Sequence, residues 1–352
     1  MTDRAAEIAQ RVAAALAGFL DERCAELAGM TRDLLPAVRA VADFVAGGKR
    51  LRPAFVYWGW RGAGGPDGAP IVTAAASLEL LHAGALMHDD LMDASDTRRG
   101  RPAIHRRFAA THQQAGWDGS ATAFGAAAAI LLGDLCLLWS AQMLRGCGLP
   151  VEAVHRGLAV HDRMSTEVMC GQYLDVVEQA RGVDSVAAAL RVARYKSAKY
   201  TVERPLHLGA ALAGGPRELI ETYTAYGVPV GEAFQLRDDV LGVYGDPAKT
   251  GKPAGDDLRE GKRTVLVALA AERADGRQAA LLAKHLGDPA LPPDGVTALR
   301  AVIAETGALA EVEHMIADRV GRGTAALAAG PVQPGPAQAL RELAVAATAR
   351  RV

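Results

Sequence analysis

The sequence predicts an all-α protein, on the basis of its composition, its long apolar runs and the absence of a linker. Half of the 352 residues are hydrophobic but only 5% are aromatic, so alanine and leucine fill most apolar positions. Both are strong helix formers, and this balance favours close-packed helices over sheet. The apolar run 74–87 contains no proline and a single glycine, as a helix would. We therefore expect one large helical domain.

Charge and cysteine content exclude several classes of protein. The net charge of −1 provides no overall field that would attract nucleic acid. The cysteines are Cys24, Cys136, Cys147 and Cys170. Their spacing fits no metal or redox motif and indicates free thiols in a reducing cytosol. The longest apolar stretch, 123–139, is interrupted by Asp134 and is short for a membrane span. We expect a cytoplasmic protein without a signal peptide or transmembrane segment, in which this stretch is a buried core helix.

The first third of the chain contains a basic motif at a predicted helix start. Helices are predicted over about 3–28, 33–46 and 71–93. Gly47-Gly48 ends the second of these, and Lys49-Arg50-Leu51-Arg52-Pro53 begins another helix. Backbone N–H groups, the helix dipole and three cations would act together on an anion there. The motif predicts an anion site, and a solvated basic turn is the alternative.

An acidic motif ends the helix predicted over 71–93. It contains Asp89, Asp90 and Asp93, and Arg98 and Arg99 follow it. On a helix Asp89 and Asp93 share one face, and His82 lies two turns earlier on that face. Mg²⁺ suits such a pair, because it takes one or two carboxylates and completes its shell with water and substrate phosphates. A solvated acidic helix end is the alternative, although the preceding segment is very apolar for an exposed face.

The middle of the chain predicts further helices and a candidate phosphate contact. These helices span about 124–144, 151–178 and 184–213, the last with a break at Pro205. Gln172 and Asp175 are three residues apart and lie on one helix face. Lys196 has small residues beside it, which would allow a close phosphate contact. A surface lysine is the alternative.

A second acidic pair, Asp238 and Asp239, ends a later helix. It continues into a glycine- and proline-rich loop, 245–255, which carries Lys252 and is followed by Lys262. Two carboxylate pairs on two helices, each followed by a basic loop, are difficult to explain as solvated surface. Together they suggest a diphosphate held by bridging Mg²⁺ between two acidic walls.

In order and spacing, the motifs from Gly47 to Thr264 resemble the trans-isoprenyl diphosphate synthase (polyprenyl synthetase) family. The matching segments are 47–53, the first aspartate-rich motif with Arg98-Arg99-Gly100, Gly171-Gln172, Tyr195-Lys196, 234–239 and Gly251-Lys252-Pro253. The resemblance implies a single polyprenyl synthetase-like domain over 1–352, an isoprenoid synthase-type bundle of long, mostly antiparallel helices around a central cavity. The core would span about 30–330 and a C-terminal helix about 337–350. The resemblance also implies a homodimer.

The resemblance implies a prenyltransferase that condenses isopentenyl diphosphate head-to-tail with an allylic diphosphate. The allylic C–O bond ionises, the isopentenyl double bond attacks the carbocation, and a proton is lost. Diphosphate leaves only when its developing charge is neutralised, here by Mg²⁺ (about three ions per site) and by cationic side chains. An apolar cavity would keep water away from the carbocation.

The same resemblance assigns roles to individual residues. The diphosphate of isopentenyl diphosphate would be held by Lys49, Arg52, His82 and Arg99. Mg²⁺ would be ligated by Asp89, Asp93 and Asp238. The groups around the allylic diphosphate would be Arg98, Lys196, Gln235, Lys252 and Lys262. Asp90 and Asp239 complete the predicted catalytic set. In one departure from the family, Gly242 occupies the fifth position of the second motif, where aspartate is common, which leaves Asp239 or Asp246 to assist that wall.

Product length is predicted from the helix that precedes the first motif. Gly84 and Ala85, five and four residues before Asp89, are small, whereas farnesyl-type enzymes generally carry bulk there. A floor at Leu81 or Leu78 would give a longer product, so we expect geranylgeranyl diphosphate (C20). A farnesyl or a longer polyprenyl diphosphate is the alternative.

Two other functions fit the motifs less well. A class I terpene cyclase needs a second metal motif usually built on asparagine, and the chain contains no asparagine. A non-catalytic partner subunit would lack an acidic motif or the basic cluster, and both are present.

Overall fold

The computed structural model describes residues 3–182, 185–246 and 255–349, and within them nearly every segment is helical. The all-α prediction is therefore confirmed. The α-helices, numbered in chain order, are α1 Asp3–Met30, α2 Leu35–Val45, α3 Leu51–Gly62, α4 Ala69–Met92, α5 Ile104–Ala115, α6 Ala121–Arg145, α7 Val151–Arg181, α8 Val186–Val192, α9 Arg204–Ala213, α10 Arg217–Tyr244, α11 Asp256–Arg259, α12 Val265–Arg273, α13 Gly276–His285, α14 Pro293–Glu305, α15 Ala308–Ala329 and α16 Pro334–Thr348. A 3₁₀ turn spans Arg32–Leu34, a π-helix spans Ala193–Glu203, and β1 (Thr97–Arg98) pairs with β2 (Arg101–Pro102) in a short antiparallel hairpin.

The chain divides into two compact units. The first unit comprises Met1–Arg163 and Pro205–Ile220, and the second comprises Met164–Arg204 and Glu221–Val352. The single domain over 1–352 remains a prediction.

In the first unit, α4 packs closely against α6. A Cβ at Gly84 would lie 2.7 Å from the carbonyl oxygen of Gly133, so the glycine lets the two helix backbones approach each other. One turn later the ring of His88 lies over Gly133. Its Nε2 is 3.1 Å from the carbonyl oxygen of Ile130. These contacts hold the C-terminal end of α4, which carries the first acidic motif.

The outer face of α6 is exposed, which corrects the prediction of a buried core helix over 123–139. By length and composition alone, α4 and α6 are both long and apolar enough to cross a membrane. They differ in burial: 72% of the most apolar 18-residue segment of α4 is buried, but only 28% of the corresponding segment of α6 is. Ile130, Leu131 and Leu138 are exposed on α6. The sequence could not distinguish the two cases, because an apolar face has the same composition whether or not it is covered.

The helix predicted over 184–213 divides into α8, the π-helix and α9. Pro205 is the second residue of α9 and directly follows the π-helix, so its ring nitrogen cannot donate a hydrogen bond to the turn before it. Glycines of α7 and α10 lie against the backbone of the π-helix. A Cβ at Gly171 would be 2.3 Å from the backbone nitrogen of Lys196, and one at Gly231 would be 2.5 Å from a carbonyl oxygen of the same helix. Close contacts from both sides therefore accompany the widened turns of this segment.

In the second unit, the C-terminal helix α16 packs on α10. The phenol of Tyr226 donates a 2.7 Å hydrogen bond to the carbonyl oxygen of Leu340, and Arg237 Nε donates one of 2.8 Å to that of Thr348. Arg237 also makes a bidentate ion pair with Glu313 of α15. Because Arg237 directly precedes the second acidic pair, α15 and α16 support that motif.

Candidate active site

Arginines at the start of α3 and in the hairpin surround His82 of α4. Burial holds the pKa of His82 well below its usual value, and repulsion from Arg52, Arg99, Arg98 and Arg50 lowers it further. Burial acts in this direction because a charged imidazole would lose its hydration. His82 is therefore neutral at pH 7, and it offers hydrogen bonds to an anion without adding a charge.

The β1–β2 hairpin brings Arg99 into this cluster. Arg98 pairs with Arg101, so Arg99-Gly100 forms a two-residue turn. Both turn residues have positive φ, 52° and 72°, as a type I′ turn requires. The guanidinium of Arg99 lies against Gly48, where a Cβ would be 3.3 Å from Nη2. Gly48 thus leaves room for the arginine at the edge of the basic motif.

The start of α3 carries the remaining predicted cations. Lys49 is exposed and Arg52 is half-buried. Arg50 between them is buried and forms an ion pair with Glu79 of α4. This pair was not predicted from the sequence. Glu79 nevertheless gave a signal, because a single carboxylate in an apolar helix must find a cationic or hydrogen-bonding partner when it is buried.

The aspartates of the first motif have different environments. Asp90 is buried and accepts a 2.8 Å hydrogen bond from Arg98 Nε, together with a second bond from Nη2 of the same guanidinium. Asp89 is half-buried, with Oδ2 3.6 Å from Arg98 Nη2. Asp93 follows Asp89 by one turn, and its backbone nitrogen is 2.8 Å from the Asp89 carbonyl oxygen. Asp90 therefore orients Arg98, whereas Asp89 and Asp93 lie on the partly exposed face.

The chemistry of this face fits Mg²⁺. Asp89 and Asp93 supply hard carboxylate oxygens from one half-buried side of α4. Mg²⁺ typically takes one or two carboxylates and leaves its other positions to water and substrate phosphates. Among the described residues, no group of three or more His, Cys, Asp or Glu could hold a metal ion alone. A metal that is completed by its substrate needs no such cage.

The residues predicted to set product length have unlike surroundings. Gly84 faces α6, where it allows the close approach to Gly133. Leu81 is buried. Ala85 keeps partial exposure and precedes Asp89 by four residues, which places it on the same face. Ala85 therefore lies on the partly exposed face of α4 that ends at Asp89.

In the second unit, Lys196 of the π-helix is held by a carboxylate of α7. Lys196 Nζ lies 2.7 Å from Asp175 Oδ2. The close approach of Gly171 to the Lys196 backbone brings the two side chains into register. The polar face predicted on α7 therefore has at least one structural task, which is to orient this lysine.

The second acidic pair also divides into an exposed and a buried member. Asp238 is exposed, whereas Asp239 is buried and accepts a 2.7 Å hydrogen bond from the amide of Gln235. Burial raises the pKa of Asp239 well above its usual value, and the neighbouring carboxylates of Asp257 and Asp238 raise it further. Gln235 acts in the opposite direction, because its donated bond stabilises the charged form.

A carboxylate that the sequence analysis did not assign lies beside Gly242. A Cβ at this position would be 1.8 Å from Oδ2 of Asp257. Lys262 Nζ is 3.9 Å from Asp257 Oδ1 and 2.8 Å from Glu260 Oε2. The fifth position of the second motif thus has no carboxylate of its own but has one next to it. Lys252 lies outside the described residues.

Fold and site together define a class of protein. In an all-α chain, an acidic helix end of the kind that takes Mg²⁺ lies on the same helix as a histidine surrounded by arginines. Such groups neutralise phosphate esters, and an apolar helical interior suits a hydrocarbon tail. The class is therefore an all-α protein that binds phosphate esters of hydrocarbons.

Comparison with known proteins gives the family. The polyprenyl synthetase profile matches residues 37–302. A geranylgeranyl pyrophosphate synthase from Corynebacterium glutamicum, solved with isoprenyl diphosphate and magnesium, is 41% identical, with a TM-score of 0.95 over 98% of this chain and 99% of that one. A geranylfarnesyl diphosphate synthase from Aeropyrum pernix is 35% identical over 75% of this chain and 78% of its own length. A (2E,6E)-farnesyl diphosphate synthase from Mycobacterium tuberculosis is 32% identical over 84% and 78%, respectively. The chain belongs to the polyprenyl synthetase family, and the prediction of a prenyltransferase is confirmed.

Proposed function

We propose that this prenyltransferase condenses isopentenyl diphosphate with an allylic diphosphate and releases mainly geranylgeranyl diphosphate. The observation that carries the proposal is a pair of unlike anion sites on α4. Around His82, arginines would bind an anion directly, whereas Asp89 and Asp93 would bind one only through a metal ion. Seven residues separate His82 from Asp89, about 10 Å along a helix. A condensation of two diphosphate esters needs two such sites.

The direct cation site is proposed to hold isopentenyl diphosphate. The groups that would bind its diphosphate are Lys49, Arg52, His82 and Arg99. This substrate keeps its diphosphate through the reaction, so the site must bind and orient the group without stabilising a departing charge. Arginines with a neutral histidine meet that requirement, because guanidinium forks match phosphate oxygens.

The acidic site is proposed to hold the allylic diphosphate through about three Mg²⁺ ions, which when bound would neutralise the leaving group's charge. The proposed ligands are Asp89, Asp93 and Asp238. Further proposed groups around this diphosphate are Arg98, Lys196, Gln235, Lys252 and Lys262. Arg98 is held by Asp90 and Lys196 by Asp175. Cations fixed in this way need little reorganisation when charge develops on the leaving group.

The bond changes of the proposed step balance within the two substrates. The allylic C–O bond breaks and its electron pair leaves with the diphosphate. The isopentenyl double bond supplies the electrons of the new C–C bond, and a proton from the resulting cation passes to the departing diphosphate. The chain contributes orientation and exclusion of water, for which the buried Leu78 and Leu81 of α4 are suited.

Ala85 supports the proposed C20 product. Its small side chain lies on the same partly exposed face as Asp89 and would leave room for a tail to pass. The named relatives include farnesyl, geranylgeranyl and geranylfarnesyl diphosphate synthases, so the family alone does not decide the length. A shorter or a longer product is therefore the alternative that the assay below must separate.

We also propose that a second copy of this chain covers the exposed face of α6, in a cytoplasmic homodimer. Leu131 and Leu138 are about two-thirds exposed there, at 66% and 65%. Large exposed apolar residues on one helix face are typical of an interface. Leu131→Glu combined with Leu138→Glu should convert a dimer to a monomer in sedimentation analysis. A parent chain that sediments as a monomer would contradict the proposal.

Incubation of the purified chain with Mg²⁺, isopentenyl diphosphate and each allylic primer tests the proposed function. The expected result is a C20 diphosphate as the main product from several primers. Predominantly C15, or C30 and longer, products would contradict the chain length. A cyclic hydrocarbon would identify a terpene cyclase. The absence of any product over a range of enzyme concentrations would identify a non-catalytic subunit.

A further inference from the structure

The buried ion pair between Arg50 and Glu79 joins the two helices that carry the predicted isopentenyl diphosphate site. Arg50 is 5% exposed and Glu79 is 6% exposed. The Nη1 of Arg50 bonds to Glu79 Oε2, and its Nη2 donates a hydrogen bond to the carbonyl oxygen of Val45. One guanidinium therefore ties together the end of α2, the start of α3 and the middle of α4.

The backbone conformation of Arg50 is unfavourable for a residue with a side chain. Arg50 precedes α3 with φ 51° and ψ 36°, a left-handed conformation that is unfavourable for a residue with a Cβ. Gly47 and Gly48, also at positive φ, precede it in the same turn. Glycine would adopt this conformation at Arg50 without strain. The buried pair with Glu79 offsets the strain, which indicates that the contact to α4 is what requires arginine here.

The position of the pair connects the elements of the site. Lys49 directly precedes Arg50, and Arg52 follows it by two residues. Glu79 precedes His82 by three residues, about one turn of α4. The pair thus fixes the start of α3 relative to the segment of α4 that carries the histidine. The Glu79 carboxylate also favours the charged form of Arg99, since it raises the pKa that burial lowers.

Arg50 is poorly suited to bind the diphosphate itself. Its charge is matched by a buried carboxylate, and binding a diphosphate in place of Glu79 would leave that carboxylate buried without its cation, which is costly. Its second nitrogen is engaged by a backbone carbonyl. We propose that Arg50 and Glu79 are positioning residues that set Lys49 and Arg52 against His82 for isopentenyl diphosphate. The inference rests on the proposed function of this site.

Steady-state kinetics of Glu79→Gln tests the proposal most directly. The variant keeps the shape of the side chain but removes its charge. If the pair positions the site, the KM for isopentenyl diphosphate should rise roughly 10- to 100-fold, because small displacements of binding groups are costly. The KM for the allylic diphosphate, and kcat at saturating isopentenyl diphosphate, should stay within about twofold. If Arg50 were instead a direct ligand, its release from Glu79 would leave this KM unchanged or lower it, and that result would overturn the proposal.

Arg50→Gly separates the side chain from the backbone conformation. Glycine accepts the left-handed turn but cannot contact Glu79, so the KM for isopentenyl diphosphate should rise as in Glu79→Gln. A KM like that of the parent would show that the turn alone suffices and would overturn the proposal. The double variant should show no larger increase than the greater of the single ones, because both changes break one contact. Multiplied effects would mean that the two residues act separately.

Matched controls exclude a general loss of structure. Arg11 and Asp67 form another ion pair in the first unit, 2.8 Å long and more exposed. Arg11→Gln and Asp67→Asn should leave both KM values unchanged. Calorimetric titration of isopentenyl diphosphate alone should reproduce the weaker binding of the Arg50 and Glu79 variants without turnover. A parent chain without any transferase activity would contradict the proposed function, whereas an active parent with unaffected variants would contradict only this inference.

Discussion

Asp257 places its carboxylate in the space that a side chain at Gly242 would need. The contact, 1.8 Å from the Cβ position to Oδ2, means that any side chain at this position would have to displace the Asp257 carboxylate. The second acidic motif therefore differs from the common pattern in two linked respects. The fifth position carries no side chain, and a carboxylate from the start of α11 lies beside it.

Gly242→Asp should consequently impair the enzyme, although it restores the common motif. The new side chain would displace Asp257 and add a negative charge near the buried Asp239. We expect kcat/KM for the allylic diphosphate to fall on the order of tenfold or more, as for other misplaced active-site groups. The double variant Gly242→Asp with Asp257→Gly exchanges the two positions and should recover most of the loss. A fully active single variant would show that the contact with Asp257 is unimportant.

Substitutions of Asp89 and Asp90 should have different effects although the two residues are neighbours. Asp90→Asn leaves the largely buried Arg98 without its main charged partner, a type of change that costs about 3–5 kcal/mol of folding stability. Asp89→Asn should change stability far less but lower kcat by on the order of 10³-fold, because a proposed metal ligand is lost. Denaturant unfolding and steady-state rates measured on both variants check this. Equal losses of stability would contradict the assignment of Asp90 as the residue that orients Arg98.

Helical periodicity was sufficient to predict the face shared by Asp89 and Asp93, because local spacing alone determines that relationship. It could not identify the partner of Arg50, since Glu79 is 29 residues away and the sequence shows only that a buried carboxylate needs a cation. The π-helix was missed for a similar reason. Its backbone is contacted by glycines of α7 and α10, which are distant in sequence, and no local propensity encodes such contacts.

The outer face of α6 illustrates a second limit. Its apolar composition was recognised, but burial depends on what lies opposite, and the sequence of one chain does not say whether that is another helix or another molecule. The orientation of Asp257 beside Gly242 is also a tertiary property. In both cases the sequence identified the unusual residue but not its neighbour.

Gly84 and Ala85 should respond differently to larger side chains, although both were predicted to set product length. Gly84→Ala puts a Cβ 2.7 Å from the carbonyl oxygen of Gly133, and such overpacking costs about 1–3 kcal/mol. Ala85→Phe adds bulk on the half-buried face that also carries Asp89, so the main product should shorten toward C15. Thermal unfolding and chromatography of the products test the two variants together. Unchanged chain length in Ala85→Phe would place the tail of the substrate elsewhere.

His82 should make the folded state sensitive to acid. Its pKa in the folded protein is well below the usual value, so the unfolded chain binds the additional proton first as the pH falls. The stability that the neutral ring contributes is therefore fully present at pH values above the pKa of His82 in the unfolded chain. It is lost as the pH falls below that pKa. As the pH falls from 7.5 to 5.5, this group alone should therefore lower the free energy of unfolding.

His82→Gln isolates this contribution, because glutamine keeps a neutral hydrogen-bonding side chain in the basic cluster. The loss of unfolding free energy between the two pH values should be smaller in the variant than in the parent. His105 and His161, whose pKa values are also lowered by burial, should retain their share of the acid sensitivity. His155→Gln, at an exposed position of α7, is the control for the replacement of a histidine by glutamine. An identical pH dependence in the parent and in His82→Gln would mean that His82 is already charged in the folded protein.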